Sequence, residues 1–302
     1  MSATTVKIGK ITVNLSNLEK VLYPQAGFTK GQVVEYHLKM APIIVPHVKN
    51  RPLTLKRYPN GVDGMMFYEK RCPPHKPDWI KTVTVTSRRE GGKLSYCVID
   101  SPAALVWVAN LASLELHTLL FRGEQLYRPT WMVFDFDPGP PAGILECIPI
   151  ALKVRDTLER LKLKSFIKTS GGKGLHMVVP LNTPVTFDQT KGFSNAIARM
   201  MERDDPDHVT SNMKKELRKG KIFIDWSQND EHKTTVAVYS LRARNEPTVS
   251  TPVEWDELTA ALKKKDPDKL KFLAPQVIKR VDKIGDLFAP VLKLKQKLPA
   301  IS

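Results

Sequence analysis

The sequence is poor in cysteine and has no long apolar run. Only Cys72, Cys97 and Cys147 occur among 302 residues. They are too few and too scattered for a disulfide framework, so three reduced structural thiols are expected. Cys72 and His75 form a C-x2-H pair, but no second pair stands at zinc-ligand spacing. No apolar stretch reaches the ~18 residues of a membrane span. The opening MSATTVKIGKITV lacks a signal-peptide core, so a cytoplasmic protein is expected. Acidic residues are also in deficit, with 31 Asp and Glu against 47 Lys and Arg, a formal net charge of +16. Such an excess, in a chain with no membrane segment, points to polyanions and chiefly to nucleic acid. What remains is ordinary: 42% hydrophobic and 26% charged residues exclude a disordered or fibrous chain.

Along the chain, Ser16-Asn17-Leu18-Glu19 and Thr29-Lys30-Gly31-Gln32 both read as capping boxes. The second opens an amphipathic helix to about Ile44. A β-rich region follows, with strands at 53–59, 65–71, 81–87 and 93–100 and turns at Asn60-Gly61 and Gly91-Gly92. Ser101-Pro102 starts a helix through about Leu114. Then come a strand at 131–137, a helix at 143–163, a hairpin of 165–170 with 175–181, a helix at 187–203 and a strand at 221–227. Thr251-Pro252-Val253-Glu254 caps a helix over 254–264, and one or two basic helices end the chain. Strands mixed with helices, some in hairpins, indicate an α+β fold. A division near residue 129 separates an N-terminal module, 1–128, from an αβ module, 129–302.

The chemistry starts with Asp135-Phe136-Asp137 at the end of an apolar strand. Residues i and i+2 share a face, so the two carboxylates point the same way and raise each other's pKa unless a cation lies between them. A divalent metal on carboxylate oxygens resolves this, as in phosphoryl-transfer sites using Mg²⁺ or Mn²⁺. Asp225, within the otherwise apolar Ile222-Phe223-Ile224-Asp225-Trp226, supplies a third carboxylate where a lone one is costly to bury. Between these strands, Ser170-Gly171-Gly172-Lys173-Gly174-Leu175-His176 combines glycines that let backbone N–H groups approach a phosphate with Ser, Lys and His donors. It lacks the spacing of a Walker A loop. Gly61-Val62-Asp63-Gly64 has glycine where the K-x-D-G motif of ATP-dependent ligases has its nucleophilic lysine, so this chain is not expected to ligate. On these residues alone, three readings stand: a nucleotidyltransferase, a metal-dependent nuclease or phosphatase acting on nucleic acid, and a non-catalytic basic DNA-end-binding module.

D-x-D, S-G-G-K-G-x-H and D-W-S-Q-N-D, with LEKVLYP, TKGQVVEYH, RPLTLKRYPNG, FYEKR, LVWVANLASLELH and TTVAVYSLRAR, together resemble the archaeo-eukaryotic primase superfamily, and within it the polymerase domain of bacterial DNA ligase D. The resemblance implies a primase-like α+β fold, with an RRM-like antiparallel or mixed catalytic sheet packed with an N-terminal β-rich module and flanking helices. It implies a single primase-polymerase domain, 1–302, as a portion of a larger multidomain ligase. The implied activity is DNA-dependent addition of templated or untemplated nucleotides, preferably ribonucleotides, at double-strand breaks in bacterial non-homologous end joining. Asp135, Asp137 and Asp225 would ligate two divalent cations, with Mn²⁺ favoured and Mg²⁺ possible. Ser170, Lys173, His176 and Arg242 would hold the triphosphate of an NTP or dNTP, with Arg218 and Gln228 nearby. His117 would contact the ribose 2′-hydroxyl, and Phe67 and Tyr68 would stack on the base with Lys56 close. Where Tyr68 stands, the family usually has a second Phe. Asn17, Lys20 and Lys30 match a pocket for a downstream 5′-phosphate. There Asn17 and Lys20 would share one face of a helix opening at Ser16, and Lys30 would sit among the free N–H groups of a helix N-terminus. The partners implied are gapped or primer-template DNA, ligase and phosphoesterase modules of the same polypeptide, and a Ku end-binding protein, with no membrane.

Overall fold

The computed structural model describes residues 4–87 and 91–299. Among them are six α-helices and several sheets, the α+β mixture expected. The chain divides into two compact units. The first comprises Met1–Leu126, Thr234–Ser250 and Phe272–Asp286, and the second comprises Tyr127–Lys233, Thr251–Lys271 and Leu287–Ser302.

The second unit is built on a six-stranded sheet in the order Val209–Thr210, Ile222–Asp225, Trp131–Pro138, Leu175–Pro180, Phe166–Thr169 and Pro252–Val253. All its pairs are antiparallel except Val209–Thr210 with Ile222–Asp225. Alternation governs the central strand: Met132, Phe134 and Phe136 are fully buried, while Asp135 and Asp137 lie on the other side. Helices Ile144–Arg160 and Phe187–Asp204 pack on this strand. Thr186 caps the second of them by accepting from the N–H of Gln189, whose side chain accepts from Thr186 N–H in return. Where the neighbouring strand turns away after Asp225, the buried Asn229 takes its place. Its Oδ1 accepts from Val133 N–H at 2.8 Å and its Nδ2 donates to the Val133 carbonyl at 2.7 Å.

The first unit holds a sheet in the order Thr234–Val236, Ser113–Leu119, Leu53–Arg57, Gly92–Cys97 and Thr82–Ser87, with Phe67–Glu69 also paired to Leu53–Arg57. Helix Lys30–Val48 carries the expected Thr29/Gln32 capping box and packs on helix Pro102–Asn110. It also buries His37 completely, with Nδ1–H donated to the Val33 carbonyl. Burial, only partly offset by that bond, lowers the His37 pKa from 6.5 to about 4. A depressed folded value means that the stability from this group is complete above pH 6.5 and is lost as pH falls toward 4. The shift corresponds to about 3 kcal/mol. Chemical denaturation of wild type and His37→Leu at pH 7 and pH 4 should therefore show a smaller acid loss in the variant, by up to about that amount.

Four expectations change. Ser16–Lys20 is a turn rather than a helix, with Asn17 at φ 52° and Lys20 N–H bonded to the Asn17 carbonyl, because the preceding residues Ile11–Leu15 pair as a strand with Thr4–Ile8. The helix from Pro102 stops at Asn110, ended by Ala112 at φ 55°, and Ser113–Leu119 is a strand. Thr251 does not cap the following helix: Pro252–Val253 is a strand, and Glu254 with Glu257 forms the cap of Trp255–Lys264. Finally, Cys72 and Cys97 are joined in a disulfide, and only Cys147 is a free, buried thiol. The loop after Phe67–Glu69 returns to the Gly92–Cys97 strand, where Cys72 N–H bonds the Ser95 carbonyl, so 25 residues of separation close to a 4.8 Å Cα distance.

Candidate active site

Strand register assembles the acidic cluster of the second unit. Asp135 lies directly opposite Asp225 on one neighbouring strand and opposite His176 on the other, and His176 in turn lies opposite Lys168. Directly opposed residues share a face, so Lys168, His176, Asp135 and Asp225 form one row across four strands, with Asp137 two residues along on the same face. Asp225 stands at the strand end, where a short 3₁₀ turn Trp226–Gln228 begins.

Each carboxylate is engaged by a local donor. Ser227 donates to Asp225 Oδ1 through both its N–H and its hydroxyl, and Gln228 Nε2 donates to Oδ2 at 2.9 Å. His176 Nε2 lies 3.3 Å from Asp135 Oδ1. Buried Lys168 donates to His176 Nδ1 at 3.0 Å, which leaves the ring proton on Nε2, toward Asp135. Asp137 is more exposed and has Arg218 Nη1 at 3.7 Å. Its pKa is raised by burial and by Asp135, against the opposing pull of Arg218, with Asp225 adding to the rise and Lys173 opposing it.

Ser170, which sequence reasoning cast as a phosphate donor, organises its own loop. Its Oγ accepts from Gly172 N–H and Gly174 N–H, each at 3.1 Å. Gly174 is required by close approach, since a Cβ there would stand 2.0 Å from the Phe136 carbonyl oxygen. Lys173 is exposed at the tip. Arg218 lies with its guanidinium 3.7 Å from the centre of the Phe223 ring and donates to the Met213 carbonyl.

The acidic row suits hard divalent cations in donor type: three carboxylates on one face, one of them displaced toward protonation by burial and then by the other two. Among the described residues, however, no group of three or more His, Cys, Asp or Glu side chains closes into a metal cage. The carboxylates turn instead to the donors just named. Asp135, Asp137 and Asp225 are the residues that would hold a cation.

The second cluster lies in the first unit. Register places Tyr68 opposite Lys56 and Lys56 opposite Glu115, while Thr54 lies opposite His117. Tyr68, Lys56, Glu115 and His117 therefore share one sheet face, and Phe67, paired with Arg57, falls on the other. Glu115 is the buried hub. Its Oε2 accepts from Lys56 Nζ at 2.9 Å and His117 Nε2 at 2.8 Å, and its Oε1 accepts from Ala243 N–H at 3.1 Å with Arg242 Nε at 3.3 Å. Burial pushes the Glu115 pKa up, but the His117 bond and the Arg242 and Lys56 charges outweigh it, leaving the carboxyl well below its ordinary value. His117 is held below its usual value chiefly by burial, aided by Arg242 and Lys56 against the pull of Glu115.

The third cluster departs furthest from expectation. Lys30 is buried, and its ammonium donates to the Ser16 carbonyl at 2.6 Å and to Ser16 Oγ. Burial, then the charge of Lys20, lowers its pKa to about 8. The N–H groups at the start of its helix are not free: Lys30 N–H bonds Lys20 O, Gly31 N–H bonds Leu18 O, and Gln32 N–H bonds Thr29 Oγ1. Lys20 Nζ donates to Asn60 Oδ1 at 2.9 Å.

Sequence reasoning missed Glu115, Lys168 and Asn229. The alternation of Ser113-Leu114-Glu115-Leu116-His117 is a strand signal that places Glu115 with His117. Lys168 is a lone cation in an otherwise apolar strand. Asn229 left no comparable mark.

In the second unit a mixed sheet thus carries paired aspartates beside a glycine-rich hairpin. Residues 29–288 match the family described as LigD, primase-polymerase domain, and the chain belongs to that family. It is 41% identical over 281 residues to the multifunctional non-homologous end joining protein LigD of Mycolicibacterium smegmatis, covering 92% of this chain and 36% of that protein. It is 33% identical over 260 residues to the LigD of Pseudomonas aeruginosa, covering 85% of this chain and 30% of that protein. This chain thus spans about a third of the length of these relatives. The fold is similar to that of the polymerase domain from Mycobacterium tuberculosis ligase D in complex with DNA, with a TM-score of 0.87 and 38% identity over 94% of this chain and 99% of that one. No helix among the described residues is long and apolar enough to cross a membrane.

Proposed function

We propose that this chain is a template-dependent and template-independent nucleotidyltransferase that fills gaps and extends DNA ends in bacterial non-homologous end joining, with a preference for ribonucleotides. The observation that carries this reading is the row Lys168–His176–Asp135–Asp225, with Asp137 beside it, in a chain of this family. When bound to Asp135, Asp137 and Asp225, two divalent cations, Mn²⁺ by preference or Mg²⁺, supply activation of the primer 3′-hydroxyl and neutralisation of the triphosphate and departing pyrophosphate.

The chain's own residues do the rest. Asp225 is oriented by Ser227 and Gln228, and Asp135 by His176. Lys173, Arg218 and Arg242 offer positive charge to the triphosphate, and the basic surface holds DNA by its phosphates. Ser170 shapes the glycine loop, and His176, whose two ring nitrogens are taken up by Lys168 and Asp135, sits beside it rather than donating freely to the triphosphate. Tyr68, on the same face as Lys56, provides a stacking surface for the base, whereas Phe67, expected to stack with it, is an exposed ring on the opposite face. Ligase and phosphoesterase modules of the same polypeptide, and a Ku end-binding protein, are the partners proposed, at the bacterial nucleoid. Incubation with labelled primer-template, Mn²⁺ and either NTPs or dNTPs tests the reading: products should lengthen, further with NTPs. Shortened products would indicate a nuclease, and unchanged ones an inert end-binding module.

Asn17, Lys20 and Lys30 are proposed to recognise the downstream 5′-phosphate, a group carrying more charge than an internal phosphodiester. Since Lys30 is tied to Ser16, it shapes the Ser16–Lys20 turn, and Lys20 carries the contact. Lys20→Ala should therefore erase a preference for gapped DNA with a 5′-phosphate over a 5′-hydroxyl, about 10-fold or more for a charged hydrogen bond. Extension of a simple primer-template should persist. Equal preference in wild type and variant, measured by fluorescence anisotropy, would place the contact elsewhere.

A further inference from the structure

Glu115 is buried and was not among the residues expected to bind a nucleotide. Yet three residues expected to do so, Lys56, His117 and Arg242, converge on it. A buried carboxylate with three hydrogen bonds and an ion pair to Arg242 has little capacity left for a ligand, so its effect passes through its neighbours.

The neighbour with a choice is His117. Lys56 and Arg242 only donate, whatever Glu115 does, but an imidazole can present a donor or an acceptor at each nitrogen. An ionised carboxylate only accepts, so the 2.8 Å contact from Glu115 Oε2 to His117 Nε2 requires the proton on Nε2. The cations Lys56 and Arg242, drawn to the same carboxylate, oppose a second proton on the ring. Nδ1 is then an unprotonated acceptor. It has no hydrogen-bond partner among the described residues and is not shut away from solvent.

We propose that Glu115 is a positioning residue that fixes His117 as the neutral Nε2–H tautomer, so that Nδ1 selects a sugar able to donate a hydrogen bond from its 2′ position. The proton on Nε2 follows from the geometry, and the neutral ring from the cations around it, whereas the sugar selection rests on the nucleotidyltransferase reading above. A ribose 2′-hydroxyl can donate to Nδ1, and a 2′-fluorine or 2′-hydrogen cannot. The hydroxyl's ability to accept is irrelevant to this nitrogen. The selectivity is therefore for a donor, a narrower requirement than polarity.

The test has two arms that fail separately. In the first, the full chain labelled with ¹⁵N-histidine is examined by NMR at pH 7, with the His117 resonances assigned by their loss in His117→Gln. A protonated Nε2 and an unprotonated Nδ1 are expected, and an Nδ1–H tautomer or an imidazolium would overturn the proposal. In the second, wild-type protein is given 2′-hydroxy, 2′-amino, 2′-fluoro and 2′-deoxy nucleotides. The hydroxy and amino forms should be used about 2- to 13-fold better than the other two, the range for one neutral hydrogen bond. Use of the fluoro form as readily as the hydroxy form would overturn it. Glu115→Gln, if folded, should shrink the hydroxy-to-deoxy ratio toward that of His117→Ala; an unchanged ratio in a folded variant would also overturn it. Absence of all nucleotide addition by wild type would sink the nucleotidyltransferase reading and with it sugar selection, while the NMR arm still decides the role of Glu115.

Discussion

Asp135→Ala and Asp137→Ala should each reduce nucleotide addition by about 10³-fold or more while leaving affinity for DNA nearly unchanged. Cations at such a site supply several kcal/mol of transition-state stabilisation, and each 1.36 kcal/mol is a factor of ten. DNA affinity rests mainly on lysine and arginine contacts to phosphates, which these aspartates do not make. Folding should not suffer. The raised Asp137 pKa means that its carboxylate is disfavoured in the folded protein, so this group favours folding at low pH and loses that contribution as pH rises through the folded value. Asp137→Asn should accordingly leave thermal stability at pH 7 unchanged or higher when no metal is added, and abolish most activity all the same. Single-turnover primer extension, filter binding and thermal melts on the same preparations separate the three effects. Substantial extension by both alanine variants would refute the assignment of these carboxylates.

Asn229→Ala should cost about 2–6 kcal/mol of stability, the price of leaving the buried N–H and carbonyl of Val133 without partners. The side chain of Asn229 also donates to Ser194 Oγ and to the Trp226 carbonyl, both at 3.0 Å. It thus ties the aspartate strand to helix Phe187–Asp204 and to the turn that follows Asp225. Ser194→Ala, which removes only one of these bonds, should cost about 1 kcal/mol. Equilibrium denaturation of the two variants supplies the comparison. A loss in Asn229→Ala no larger than that in Ser194→Ala would show that water replaces the missing side chain. Activity should fall with stability here, because the strand that Asn229 supports carries Asp135 two residues on.

What could be read from the sequence alone was local and periodic. The alternation of Trp131–Asp137 placed two carboxylates on one face, three glycines and a serine marked the hairpin turn, and Thr29 with Gln32 announced a helix start that the structure contains. A basic excess spread over the whole chain pointed to polyanions, since net charge needs no coordinates. Such features depend on neighbours a few residues apart. The remainder depended on register between distant segments. That Asp225 stands opposite Asp135, and Lys56 opposite Glu115, is set by which strands pair and by how far each slides, which no short window of sequence records. The same long-range pairing brought Cys72 to Cys97, where scattered positions had suggested reduced thiols, and turned Ser16–Lys20 from a helix start into a turn. It also decided the roles of two cations that look alike in sequence. Packing encloses Lys30, expected at a 5′-phosphate pocket, against the Ser16 carbonyl, and Lys168, to which sequence reasoning assigned no role, against His176, because a buried ammonium must find acceptors and only the folded chain determines which ones it meets.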